Sequence, residues 1–130
     1  MPNSPPPFQN WLEKAQDDVR WSEASLKDDV YHGTCFSAQQ AVEKSLKAFF
    51  LAKGQVPRRI HDLVALLEDC MEVDPTFEEL REACVTLTDY YVESRYPDIS
   101  EFMDYTRDQA EEALKMARGA VNFVVGKLTA

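Results

Sequence analysis

Residues 31–53, YHGTCFSAQQAVEKSLKAFFLAK, indicate the fold class because their apolar and small residues recur at intervals of three and four. One broad face of the resulting helix collects these side chains: Cys35, Ala38, Ala41, Val42, Ser45, Leu46, Phe49 and Ala52. Gly54 follows directly after, at a position where helices commonly end. The stretch therefore predicts a long amphipathic helix whose small residues let a neighbouring helix pack closely.

Four further segments show the same helical spacing of apolar residues. One precedes the quoted stretch, over about residues 9–28, and the others cover about 62–72, 77–91 and 105–128. Pro57, Pro75 and Pro97 lie between them, where residues that cannot continue a helix are expected. No segment alternates between apolar and polar residues as a strand does. The sequence predicts an all-α, up-and-down bundle of four to five helices, in which the first two long helices are antiparallel.

The domain organisation follows from length and from the position of the prolines. A chain of 130 residues is the size of one domain. Four of the seven prolines lie within the first seven residues, and proline resists helix formation there. We therefore expect a loose arm over residues 1–8 and a single helical domain over residues 9–130.

Composition excludes several classes of protein. The apolar run 48–52 is far shorter than the ~20 residues that a membrane-spanning helix needs, and the first residues do not resemble a secretion signal. The net charge of −9 disfavours non-specific binding to duplex DNA. Three cysteines without a Cys-x-x-Cys spacing argue against a disulfide framework and a zinc ribbon. We expect a cytoplasmic protein that needs neither membrane, metal nor cofactor.

The charge is distributed unevenly along the chain. Residues 44–61 carry five basic residues and no acidic one, whereas residues 62–104 carry thirteen acidic residues against Arg81 and Arg95. The basic segment could hold a small phosphate-containing ligand. It could equally be a solvated helix end that faces an acidic neighbour.

The second helix also has a polar side, opposite its apolar face. Residues at spacings of three, four and seven form it: Gln40, Glu43, Lys44 and Lys47. This side is either an exposed face with a Glu43–Lys47 ion pair or a face covered by a ligand or partner. The flanking apolar residues Phe36, Phe50 and Leu51 favour a covered face, because we expect them to be exposed in a monomer.

An aromatic segment, YYVESRYPD over residues 90–98, provides the second group of candidate residues. Pro97 disfavours helical geometry at Tyr96. Arg95 could then project beside the tyrosines into a cleft, where its planar guanidinium suits phosphate or carboxylate. Alternatively, Arg95 could stabilise the C-terminus of the fourth helix.

Three separated segments resemble HEPN domains, the "higher eukaryotes and prokaryotes nucleotide-binding" family. Residues 31–48 are similar to the second-helix motif, residues 57–63 (PRRIHDL) to the loop into the next helix, and residues 95–98 (RYPD) to a third block. The likeness covers about residues 9–125. It implies a four- to five-helix bundle, commonly a homodimer, often encoded beside a minimal nucleotidyltransferase in prokaryotic toxin–antitoxin-like pairs.

The resemblance has one departure that bears on catalysis. Many family members are metal-independent ribonucleases with an Arg-x4–6-His motif. At the required distances His32 is preceded by Ser25, Leu26 and Lys27, and His61 by Gly54, Gln55 and Val56. Because neither histidine has the arginine, the sequence predicts little ribonuclease activity by that route.

Three functions follow as hypotheses. The first is a HEPN-like module that binds a nucleotide-like ligand or a partner such as a minimal nucleotidyltransferase. Its ligand-binding residues would be Gln40, Lys44, Lys47, Tyr91, Arg95 and Tyr96, with the lysines and Arg95 on phosphate and the tyrosines stacking. The second is a ribonuclease toxin in which Arg95 and His61 meet across the bundle. The third is a helical adaptor without a ligand.

Overall fold

The computed structural model describes residues 6–91 and 104–129, and every regular element within these ranges is helical. The described residues form five α-helices: α1 Pro7–Lys27, α2 Tyr31–Ala52, α3 Leu63–Val73, α4 Arg81–Leu87 and α5 Arg107–Thr129. Two 3-10 segments, Pro75–Leu80 and Thr88–Tyr90, flank α4. The predicted all-α bundle is confirmed, and no described helix is long and apolar enough to span a membrane.

Helix α2 occupies the centre of the bundle, packed mainly against α1 and α5 and also against α3. Its predicted apolar face is buried from Cys35 to Phe49. Phe49 lies against Phe77, with ring centroids 4.2 Å apart, and Phe77 and Phe123 form a T-shaped contact with centroids 5.1 Å apart. These rings join α2, the first 3-10 segment and α5 into one core.

All three cysteines lie in this core without forming disulfides. Cys35, Cys70 and Cys84 come from α2, α3 and α4 respectively. Desolvation by burial raises the pKa of each thiol to about 12. The thiols behave as small apolar groups here, and the Sγ of Cys70 donates weakly to the carbonyl of Leu46 at 3.5 Å.

The turn between α1 and α2 brings these helices close together. Asp29 adopts a left-handed backbone conformation, with φ of 59°, and reverses the chain. A Cβ at Gly33 would lie 3.1 Å from Ser25 Oγ, so the absent side chain permits the close approach. The buried Ser22 hydroxyl then donates to the carbonyl of Thr34 at 2.9 Å.

Two predicted boundaries are wrong. Helix α1 begins at Pro7, so residues 7 and 8, assigned to the loose arm, belong to the helix. Proline is favourable in a first turn because its missing N–H has no intrahelical acceptor there. The predicted fourth helix over 77–91 is divided into a 3-10 segment, the short α4 and a second 3-10 segment. Its apolar residues still face the core, because Phe77 and Leu80 in the 3-10 segment are three apart and Cys84 and Leu87 are three apart in α4.

Asp74 joins the first 3-10 segment to the end of α5. Its carboxylate accepts from the Thr76 hydroxyl at 2.6 Å and from the Thr76 backbone N–H at 3.0 Å. It also forms an ion pair with Lys127 at 2.9 Å. The Thr76 hydroxyl, followed by Lys127, lowers the pKa of Asp74 to about 2.

This pKa predicts how acid weakens the fold. The folded-state pKa of Asp74 is below its unfolded value of about 4, so its stabilisation is complete above that value. The stabilisation is lost as the pH falls through about 2. In NMR titrations we expect the Asp74 carboxyl to titrate near that pH, and Thr76→Val to raise its pKa. Titration near 4 in both proteins would contradict the prediction.

Candidate functional site

His61 lies in the loop directly before α3, and three neighbours fix its position. Its backbone carbonyl accepts from Gln39 Nε2 at 3.1 Å, and its Nδ1 lies 3.0 Å from Glu43 Oε1. The imidazole stacks on the Tyr91 ring, with centroids 3.8 Å apart and planes 11° apart. The next residue, Asp62, starts α3 by accepting from the backbone N–H groups of residues 64 and 65. We call Gln39, Gln40, Glu43, Lys47, His61 and Tyr91 the His61 site.

Glu43 is the central group of this site. It is only 4% exposed, and its carboxylate accepts from Gln39 Nε2 at 3.2 Å and from Lys47 Nζ at 3.0 Å. Gln40 extends the network by donating to Gln39 Oε1 at 2.7 Å. Among the described residues, no buried side-chain nitrogen or oxygen lacks a hydrogen-bond partner. The network therefore holds a carboxylate in the core with its acceptor capacity used.

The Glu43 carboxylate determines what the imidazole of His61 can do. An ionised carboxylate only accepts hydrogen bonds, so His61 presents its Nδ1–H to Glu43. In the neutral ring, Nε2 then carries the lone pair and can accept a hydrogen bond. In the charged ring, Nε2 carries a proton and is a second donor. The His61 side chain is 43% exposed. The site thus combines an oriented, accessible imidazole with a buried carboxylate behind it.

Of the two alternatives for the polar side of α2, the exposed face is wrong for Glu43 and Lys47, which are 4% and 7% exposed. Helix α1 covers this side: the Lys47 ammonium lies 5.9 Å from the centroid of the Trp11 ring. Lys44 is half-buried, and its Nζ forms an ion pair with Asp18 of α1 at 2.7 Å. Helical spacing placed these residues on one side of α2, but it could not show that α1 would pack there.

Phe36, Phe50 and Leu51 are half-buried, so the expectation that they are exposed is also wrong. The Phe36 ring lies 6.1 Å from that of Tyr91, and Phe50 packs against the core. Trp21 on α1 is one of the large apolar side chains that are exposed, with 66% of its surface accessible.

The candidate residues proposed from the sequence divide into three groups. The structure brings Gln40, Lys47, His61 and Tyr91 together around Glu43. Lys44 forms a separate pair with Asp18. Arg95 and Tyr96 lie outside the described residues, as does the proposed meeting of Arg95 with His61.

Gln39 and Glu43 are members of the site to which sequence reasoning gave no ligand-binding or catalytic role. Each lies four residues before its partner on α2, Gln39 before Glu43 and Glu43 before Lys47, which is the spacing of neighbours on a helix surface. The same spacing predicted the Glu43–Lys47 pair and could have added Gln39 to it. The contact between Glu43 and His61 joins residues far apart in sequence and has no local signal.

The basic segment 44–61 is largely neutralised by acidic partners. Besides the two α2 lysines, Arg58 forms a two-point contact with Asp69 of α3, at 2.8 and 3.1 Å. These pairs fit the interpretation of a basic segment facing acidic neighbours. Arg59, two residues before His61, is exposed and forms no ion pair with another described residue. No three His, Cys, Asp or Glu side chains within residues 6–91 and 104–129 are grouped so that they could hold a metal ion.

Comparisons with known proteins establish the family. The family model for the HEPN domain matches residues 8–128, so the chain belongs to the HEPN domain family. Among solved structures, TT1696 from Thermus thermophilus is 39% identical, with a TM-score of 0.83 over 95% of this chain and 99% of that one. An archaeal HEPN homologue, ST0689, is 26% identical, with a TM-score of 0.75 over 92% and 96%.

One curated relative is a protein of Methanocaldococcus jannaschii named "Putative toxin MJ1304". It is 25% identical over 127 residues, which cover 88% of this chain and 83% of the relative. The resemblance to HEPN domains inferred from the three sequence segments is thus confirmed.

Proposed function

We propose that this chain is the HEPN component of a toxin–antitoxin-like pair and that it binds a nucleotide-like ligand at the His61 site. The observation that carries the proposal is the accessible imidazole of His61, oriented by buried Glu43 and stacked on Tyr91. Similarity to a relative named as a toxin supports the biological setting. The family resemblance supports a homodimer and a minimal nucleotidyltransferase as partner. Three unpaired thiols suit a reducing cytoplasm.

Phosphate is the part of such a ligand that the site suits best. A protonated His61 offers an N–H at Nε2, and the exposed guanidinium of Arg59 belongs to the same loop. Lys44 is more accessible than Lys47, but either lysine would exchange a carboxylate partner for the phosphate. Arg95 and Tyr96 lie outside the described residues and remain contributors proposed from the sequence.

The stacking role proposed for Tyr91 is restricted by its neighbours. One face of its ring is covered by His61 at 3.8 Å, so a nucleobase has access only to other parts of the ring. We therefore propose that Tyr91 holds the imidazole in place and contacts the ligand at its edge. Gln40, half-buried at the border of the network, offers an amide for a polar contact.

A second candidate function, RNA cleavage, is favoured by one observation. A carboxylate that orients an imidazole is a common arrangement for general acid–base catalysis, and Glu43 and His61 form such a pair. The missing arginine at motif spacing weighs against this candidate. Under this alternative, His61 would transfer the proton and Arg95 would stabilise the charged phosphate.

Titration calorimetry with mono- and dinucleotides tests the proposal. We expect His61→Ala to weaken binding at least about tenfold, because a charge-assisted hydrogen bond contributes about 1.5–3 kcal/mol. His32→Ala is the matched control, since His32 is the other histidine and lies outside the site. Equal affinity of the wild type and His61→Ala would refute this location. Incubation with total RNA in metal-free buffer should show little cleavage. Cleavage that disappears in both His61→Ala and Arg95→Ala, but not in His32→Ala, would establish the second candidate.

A further inference from the structure

A groove between the α4 region and α5 has no role in the proposed function. It runs between the segment 79–83 on one side and α5 on the other, with a volume of about 490 Å³. Leu80, Met116 and Phe123 provide an apolar floor. None of its lining residues belongs to the His61 site. The groove is therefore a separate surface feature.

Gly119 of α5 makes this groove deeper. A Cβ built at Gly119 would meet no atom within 4 Å, so this glycine faces the open space of the groove. No close contact with a neighbouring element requires a glycine at this position. Glycine in a helix interior is less favourable than alanine by about 1 kcal/mol. A Cβ at Gly126, farther along α5, would also meet no atom within 4 Å, but Gly126 does not line the groove.

The rim of the groove is acidic. Glu79 and Glu82 line one side and Glu112 the other, and Lys115 is the basic residue among them. None of the three carboxylates forms an ion pair with another described residue, although nearby Glu78 is paired with Arg81. Three carboxylates against the one ammonium of Lys115 give the lining of the groove a net negative charge.

We propose that this groove binds a basic amphipathic helix of a partner protein. An apolar groove between helical elements suits the apolar face of an incoming helix. Lysine or arginine side chains beside that face would meet Glu79, Glu82 and Glu112. An anionic ligand such as RNA would be repelled. The inference rests on the groove alone and holds whether or not nucleotides bind at His61.

A second copy of this chain is a poorer occupant than a basic partner. The chain carries a net charge of −9, so the acidic rim of this groove does not favour a second copy as its occupant. Its own basic segment offers few cations, because Lys44, Lys47 and Arg58 are paired with carboxylates of the same chain. Complementarity of charge therefore favours a partner of opposite sign.

Fluorescence anisotropy with labelled synthetic peptides tests this inference on the full chain. The probe is a helical peptide of about 18 residues with leucines on one face and lysines elsewhere. Two controls are a peptide with glutamate in place of lysine and a scrambled peptide of the same composition as the probe. We expect only the amphipathic basic peptide to bind. Absence of binding, or equal binding of the scrambled peptide, would overturn the proposal.

Two sets of variants locate the binding. Gly119→Leu fills the groove and should weaken binding at least about tenfold, whereas Gly126→Leu on the same helix should not. Replacing the three rim glutamates by glutamine should also weaken peptide binding, more than a control variant that loses the same number of negative charges. That control changes exposed glutamates elsewhere: Glu13, Glu68 and Glu72.

The outcomes separate the groove from general electrostatics. Equal losses in the two triple variants would show attraction to the acidic chain as a whole and overturn the proposal. So would equal affinity of Gly119→Leu and Gly126→Leu. If light scattering instead showed a dimer that Gly119→Leu disrupts, a second copy would be the occupant and the proposal would be wrong.

Discussion

Replacing Glu43 by leucine is expected to lower the free energy of unfolding by about 3–5 kcal/mol. The change leaves the Lys47 ammonium, whose side chain is 9% exposed, without its carboxylate partner in the core. A buried charge without a partner costs much more than the pair itself contributes. The imidazole of His61 also loses the acceptor for its Nδ1. Urea unfolding followed by circular dichroism measures the loss.

Two further variants show whether the unpaired charge of Lys47 causes the loss of stability in Glu43→Leu. Glu43→Leu combined with Lys47→Met removes both charges, so it should recover most of the lost stability. Glu13→Leu on the exposed side of α1 should change stability by no more than about 0.5 kcal/mol. If the double variant were as unstable as Glu43→Leu alone, the loss would come from packing and the argument from charge would fail.

Replacing Phe77 by alanine should also cost about 3–5 kcal/mol. Phe77 is fully buried and lies between Phe49 of α2 and Phe123 of α5, so its removal opens a cavity where three elements meet. Thermal and urea unfolding would show the change as a lower midpoint. Phe77→Leu retains most of the volume and should cost less. Val85→Ala, at a position 54% exposed, is the control that should leave the midpoint nearly unchanged.

The core could be predicted from sequence because burial follows helical spacing. The apolar residues of α2 lie where their spacing predicted, against α1 and α5. The same rule worked for Phe77, Leu80, Cys84 and Leu87, all of which are buried. It did not distinguish a continuous helix from alternating 3-10 and α segments. That distinction depends on local bonds, such as those of Asp74 to Thr76, rather than on apolar spacing.

The candidate site could be predicted only in part. His61 and Tyr91 were named as separate candidates, but nothing local in the sequence indicated that their rings stack. The spacing of Glu43 and Lys47 predicted an ion pair but left open whether the pair is exposed or covered. The fold buries them because α1 covers one side and the loop at His61 supplies a further partner. Contacts of this kind depend on tertiary packing.

The buried cysteines allow local opening of the native fold to be measured without introducing a label site. The thiolate is the form that attacks a thiol-specific reagent, and the raised pKa of each thiol together with burial suppresses that reaction in the closed bundle. Reaction then requires local opening, and its rate measures the population of the open state. Because Cys35, Cys70 and Cys84 belong to different helices, mass spectrometry of labelled peptides would reveal the order in which α2, α3 and α4 open.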